Sequence, residues 1–297
     1  MTTLFQTIAT GLAIGSIYTL LACGFVIIYK ATRVVNFAHP SLMLLGATTT
    51  ALLTVQLGVP FFVAVLMSIV VAALMAGLIE RFAVRPMNGK SAFSVVLATI
   101  GLDIIVRVIA SRWIGNSVRP VKDPWGLDTV TLAGVTIQQR HIATFLVMVV
   151  CVTALQVFFQ RSRFGLAMRA TALDQEAAAV QGVSVARVFA ASWLIAGALA
   201  AIAGSFVSAG AGIDQQAWLI ALKALPAVII GGLDSIQGAL VGGLTVGLVE
   251  ALVFVYQPGA LPWLGDSFAL VAPYIVLFLV LLVRPFGIWG SREVERV

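Results

Sequence analysis

Charge is what this sequence has least of. Only 10% of its 297 residues are Asp, Glu, Lys or Arg, and 61% are hydrophobic. Water-soluble domains carry roughly 25% charged and 45–50% apolar residues. So few charges cannot cover a water-soluble globule of this length, which excludes that class. Histidine and cysteine are scarce too. His39 and His141 stand far apart in sequence with no companion ligand or nucleophile pattern, which argues against a metal centre and a membrane enzyme. Cys23 and Cys151 lie within apolar runs, so no disulfide framework is expected. No G-x-x-x-x-G-K-[ST] phosphate loop occurs, so the chain is not expected to hydrolyse ATP. The N-terminal MTTLFQTIAT lacks a basic region, which makes the first apolar run itself the expected insertion signal.

What is present is a series of apolar runs near the length of about 20 residues that a bilayer core requires. They cover Leu4 to Tyr29, a second run after Pro40 that reaches Leu57, Phe61 to Ile79, Ala92 to Trp113, His141 to Phe159, Val188 to Ala209, Ala239 to Tyr256 and Phe268 to Val283. A shorter segment, Trp218 to Ile230, contains Lys223 and Pro226 and runs into the glycines Gly231 and Gly232. It reads as a discontinuous helix beside a transport pathway, or as a tilted short span followed by a loop. The fold class is therefore all-α: a polytopic helical membrane protein of about eight or nine transmembrane segments, at least one of them short or broken. Residues 1–297 read as one transmembrane domain, with an external loop at 115–140 whose Thr129–Leu132 alternation suggests a hairpin.

The net charge of +6 does not imply nucleic-acid binding. Of the 18 Lys and Arg, residues 30, 33, 81, 85, 90, 161, 163, 169, 187, 284, 292 and 296 fall in connections on one side. The positive-inside rule makes that side cytoplasmic, with the N-terminus outside and the C-terminus inside.

Three features stand out from the apolar background. Asn36 and His39 precede Pro40. This proline either breaks a helix at membrane depth or sits in the first turn of the second span. Asp103 and Arg107 form an i,i+4 pair inside the fourth run, either a mutually neutralising pair or a substrate contact. The third feature is the polar interval 161–187. Thr171 followed by Asp174 fits a capping box and predicts a helix starting near Ala172 and ended by Gly182. Leu173, Ala177 and Val180 then form an apolar stripe, with Asp174 and Glu176 away from it and Arg169 before it. The interval is a cytoplasmic helix offered to a soluble partner, or a solvated loop.

Three stretches together carry a family resemblance: NFAHPSLMLLGA (Asn36 to Ala47), RSRFGLAMRATALDQEAAAVQGV (Arg161 to Val183) and LKALPAVIIGGLDSIQGALVGGLTVGLVE (Leu222 to Glu250). The chain resembles the inner-membrane permeases of branched-chain amino-acid ABC importers. Pro40 and Asp234 depart from that pattern, standing where glycine is expected. Glu176-Ala177-Ala178 with Gly182 is similar to the importer EAA loop but lacks its Ile-x-Leu-Pro end.

The resemblance implies that the chain pairs with a second permease and binds two cytoplasmic ATPase subunits, which carry the ATP and Mg. A periplasmic or extracellular binding protein delivers substrate. It also implies that Arg169, Leu173, Asp174, Glu176, Ala177, Val180 and Gly182 couple to the ATPase. Asn36, His39, Lys223, Gly231 and Gly232 are the candidates for the pathway. Two alternatives stand beside it: a urea or short-chain amide permease of the same family, and an ion-coupled secondary transporter using Asp103, Arg107 and Glu250 as a charge relay.

Overall fold

The computed structural model describes residues 2–290 apart from 88, 116, 133 and 266. Arg292 and Arg296 lie outside the described residues. The chain opens with a long helix, α1 (Thr2–Thr32), followed by α2 (His39–Val55) and α3 (Phe61–Ile79). A π-turn at Glu80–Val84 prolongs α3. Next come α4 (Ala92–Ile114) and a two-stranded hairpin, β1 (Thr129–Leu132) and β2 (Val135–Gln138). The hairpin pairs Thr129 with Gln138 and Leu132 with Val135, as the alternation predicts. Then follow α5 (Gln139–Arg161), α6 (Arg163–Leu173), α7 (Gln175–Val180) and α8 (Val185–Ala211). The chain continues through α9 (Trp218–Leu222), α10 (Ala224–Gly231), α11 (Ile236–Ala260) and α12 (Phe268–Val283).

Local chemistry explains the boundaries. Pro40 sits in the first turn of α2, where its missing N–H is not needed. The alternative of a helix broken at membrane depth therefore does not hold at Pro40. The break occurs instead at Lys223, between α9 and α10. Pro226 cannot donate to the carbonyl of Leu222, and its ring crowds that carbonyl. The segment is discontinuous, the first of the two readings its sequence allowed. Ser91 caps α4 and Ser235 caps α11, each accepting a backbone N–H three residues on.

Among the described residues, six helices are long and apolar enough to cross a membrane: α1, α3 with its extension to Met87, α4, α5, α8 and α11. The α9–α10 segment and α12 are shorter apolar helices. The outward faces fit lipid. On α4 a single stripe of Val95, Thr99, Asp103, Val106, Ala110 and Ile114 is buried. Its other face is apolar too, with Phe93 71% exposed, the reverse of a soluble amphipathic helix.

Small residues bring backbones together inside the bundle. A Cβ on Gly15 of α1 would stand 2.8 Å from the Leu244 Cα of α11, and one on Gly243 would stand 2.6 Å from the Thr19 nitrogen. Gly46 and Gly204 do the same for α2 and α8. The chain reversals gather at two ends. At one end Arg33 Nη2 donates to the Ala172 carbonyl (2.9 Å) and Arg85 Nη2 to that of Ala186 (3.3 Å). At the other, Arg119 pairs with Ile213 in an antiparallel bridge, and Gln215 Nε2 donates to the Gly115 carbonyl (2.7 Å).

Candidate functional site

The polar interval is two helices rather than one. Ser162 caps α6 by accepting from Gly165 N (2.8 Å). Gly165 is required there, because a Cβ would lie 2.7 Å from the Phe159 Cα. Thr171 is not a cap. It is buried in α6 and donates its hydroxyl to the Ala167 carbonyl (2.9 Å). The cap of the second helix, α7, is Asp174, whose Oδ1 accepts from Glu176 N (3.0 Å) and Ala177 N (2.9 Å). The helix start near Ala172 is thereby corrected to Gln175. A carboxylate reaches the free N–H groups of the first turn, while the threonine hydroxyl is occupied one turn back.

The stop is as the sequence predicts. Gly182 takes a φ of +83°, with Gly182 N donating to Ala179 O and Val183 N to Ala178 O. That is a Schellman closure, and the left-handed position favours glycine. Leu173 ends α6 instead of sharing α7, so the expected stripe is not on one helix. Its members nonetheless present apolar surface outward: Leu173 is 88% exposed, Val180 85%, and Ala177 is exposed. Ala178 turns inward and is buried. Glu176 is exposed, and Arg169 is half-buried in α6. Gln175 Nε2, donating to the Ala31 carbonyl (3.3 Å), ties α7 to the end of α1.

The candidate pathway residues do not form one group. Asn36 and His39 are buried where α2 begins. Asn36 Oδ1 accepts from Ala38 N (2.9 Å), and the His39 ring packs on Phe25 with centroids 4.6 Å apart. Gly24 gives that ring its room, since a Cβ there would meet His39 Nε2 at 2.6 Å. Gly231 and Gly232 close the far end of α10 against backbone. Gly231 packs on Gly238, Gly232 on Gly290, and Gly231 O accepts from Trp289 N (2.9 Å). At 1.5 Å per residue, α10 separates them from Lys223 by about 12 Å. Asp103 and Arg107 do form the expected ion pair, at 2.5 Å, with Asp103 only 6% exposed. The Arg107 guanidinium also stacks 3.8 Å over the Trp218 ring of α9, a favourable cation–π geometry.

Lys223 belongs to a different cluster, one the sequence reading did not assemble. Its Nζ pairs with Glu250 Oε1 of α11 at 2.5 Å, and the Tyr18 hydroxyl of α1 donates to Glu250 Oε2 at 2.5 Å. This carboxylate borders a cavity of about 320 Å³ between α1, α5, α8, α9 and α11, with Arg140, His141 and Thr144 on its wall. Glu250 does not join Asp103 and Arg107. Its partners are Lys223 and Tyr18, so the charge relay of the secondary-transporter alternative is not assembled through these contacts. An intramembrane carboxylate and a lysine in a shortened helix were the available signals. Tyr18 and Arg140 gave none.

Residues 7–283 match the family described as branched-chain amino acid transport system, permease component. The branched-chain amino acid permease BraD of Pseudomonas aeruginosa is 32% identical, over 98% of this chain and 97% of its own. The corresponding permease LivH of Escherichia coli K12 is also 32% identical, with the same coverage. A probable LivH of Methanocaldococcus jannaschii is 28% identical over 93% of this chain and 89% of its own. Among solved structures, PsaBC from Streptococcus pneumoniae superposes with a TM-score of 0.50 at 13% identity, covering 96% of this chain and 92% of that one. An inward-facing putative metal-chelate type ABC transporter gives a TM-score of 0.50 at 16% identity, covering 94% and 85%. Those two share the fold alone. With a family match spanning nearly every helix and relatives alike from end to end, this chain belongs to the family of branched-chain amino acid transport system permeases.

Proposed function

We propose that this chain is the membrane permease of an ATP-binding-cassette importer for branched-chain amino acids, working in the inner (cytoplasmic) membrane. One observation carries the coupling half of this reading. A short helix, capped at both ends and tied to the bundle, turns Ala177 and Val180 to solvent, with Leu173 exposed at the end of the preceding helix. Exposed apolar side chains on a fixed helix suit insertion into a groove of a soluble partner. Asp174 and Glu176 at the rim set orientation more than affinity.

Residues 1–297 act as one domain with nine crossings: α1 to α5, α8, α9–α10 together, α11 and α12. The end holding Arg33, Arg85 and α7 is cytoplasmic, and the N-terminus is outside. The basic residues at that end support this orientation. A second permease completes the pathway, two cytoplasmic ATPases bind the permease pair and hold ATP and Mg, with one of them docked at α7, and a binding protein supplies substrate at the outer face. Closure of the ATPases moves α7 and reorients the spans between outward- and inward-open states.

The test is a mild-detergent pull-down paired with uptake in proteoliposomes. The native chain is expected to retain an ATPase and to support ATP-driven leucine uptake when binding protein is present. Ala177→Arg places a charge on an exposed position and is expected to release the ATPase without loss of folded permease. Retention of the ATPase by that variant would remove the docking argument. Uptake of urea in place of leucine would move the substrate assignment.

A further inference from the structure

The cavity at Glu250 has a definite chemistry. Its charged groups come from three elements: Arg140 in the first turn of α5, Lys223 at the α9–α10 break, and Glu250 in α11. Lys223 supplies the counter-charge that an intramembrane carboxylate needs. Among the described residues, no carboxylate forms an ion pair with Arg140. Its guanidinium lies against α8 at Gly210, where a Cβ would stand 2.9 Å from Arg140 Nε. The cavity thus holds one unbalanced cation and, some way from it, a carboxylate already accepting from a phenol. Ile14, Ile17, Phe206 and Ile220 give the wall an apolar side, and His141 and Thr144 add two polar groups near Arg140 in sequence.

We infer that this cavity is a binding site, within the permease itself, for the zwitterion of an aliphatic α-amino acid. The substrate carboxylate pairs with Arg140, its ammonium joins Tyr18 and Lys223 around Glu250, and its side chain lies on the isoleucine wall. A simple anion has no use for Glu250, and a simple cation is repelled by Arg140. Bidentate recognition of carboxylate is the task for which a guanidinium fork is suited. The volume, about 320 Å³, is at the small end of ordinary ligand pockets. A second cavity, of about 530 Å³, also borders Glu250 and shares Ile14 with the first. Thr3, Gln6, Thr7 and Thr10 line it, at the spacing of one helix face. That polar face gives a solute a route along α1 to the carboxylate.

This inference rests on the importer reading, and its test separates the two. The permease–ATPase complex is held in lipid nanodiscs without binding protein, and equilibrium binding of radiolabelled L-leucine is measured. Saturable binding is expected. Leucinamide, which lacks the carboxylate, and 4-methylpentanoate, which lacks the ammonium, are expected to compete at least about tenfold more weakly. Glu250→Gln should weaken leucine binding by at least about tenfold, but it also strips Lys223 of its partner and tests folding as well. Arg140→Gln touches no ion pair and is the decisive variant. It should lose leucine affinity and the preference for leucine over leucinamide together, with the ATPase still bound. Absence of saturable leucine binding to the native complex, or unchanged binding in Arg140→Gln, would overturn the site. ATP-driven leucine uptake with binding protein, in the same preparation, reports on the importer reading independently: uptake without binding leaves the function standing and removes the site.

Discussion

Gly15 occupies a point where α1 and α11 meet backbone to backbone. A β-carbon there stands 2.8 Å from the Leu244 Cα and 2.9 Å from the Gly243 carbonyl oxygen. Neither atom can swing away as a side-chain tip can. Gly15→Val should therefore destabilise the chain by an overpacking cost of about 1–3 kcal/mol, seen as a lower Tm of the detergent-solubilised protein. Gly101→Val, where a Cβ meets nothing within 4 Å, is the control and should leave Tm nearly unchanged. At this scale the sequence was a partial guide. Small residues in the apolar runs signalled close packing, but not which glycine meets which backbone. The buried ion pair of Asp103 and Arg107 was legible because its partners are one helical turn apart. Lys223 and Glu250 are 27 residues apart and Tyr18 and Glu250 are 232 apart, so their meeting is set by tertiary packing.

The short α7 depends on its caps, since six residues make too few internal hydrogen bonds to hold a helix alone. Asp174→Ala removes two acceptor contacts and should cost the helix about 1 kcal/mol. The Asp174 side chain is exposed, so Tm should move little while ATPase retention in a pull-down falls. Unchanged retention would mean that the cap is dispensable for docking. The helix stop was readable because only glycine sits easily at a φ of +83°. The start was misplaced because Thr171 and Asp174 both satisfy cap chemistry in sequence. Which one is used depends on a helix, α6, that runs directly into the same segment. The break at Lys223 was readable from Pro226, whose effect on the preceding turn is local.

The bundle as a whole presents two chemically different ends, and labelling can tell them apart. Leu127→Cys and Val180→Cys place thiols at 84% and 85% exposed positions on opposite ends. A membrane-impermeant maleimide should label the first in right-side-out vesicles and the second only after permeabilisation; the reverse pattern would invert the topology. Cys23 is buried and Cys151 partly so, within long apolar helices, so neither should react. Hydropathy announced the membrane class and most span boundaries. It did not say which face of a helix meets lipid and which meets protein, because both are apolar, and so the interior cluster stayed hidden. The glycine seam between α1 and α11 has one more consequence. Backbones in direct contact leave no side-chain rotamers to take up a slide, so the two helices travel as one stiff rod. Tyr18 and Glu250 ride on that rod, and Gln175 links its end to α7. The same backbone contact continues onto α10, where a Cβ on Gly242 of α11 would stand 3.0 Å from the Ala227 carbonyl carbon. Lys223, at the break just before α10, is therefore held against Glu250 by the same seam.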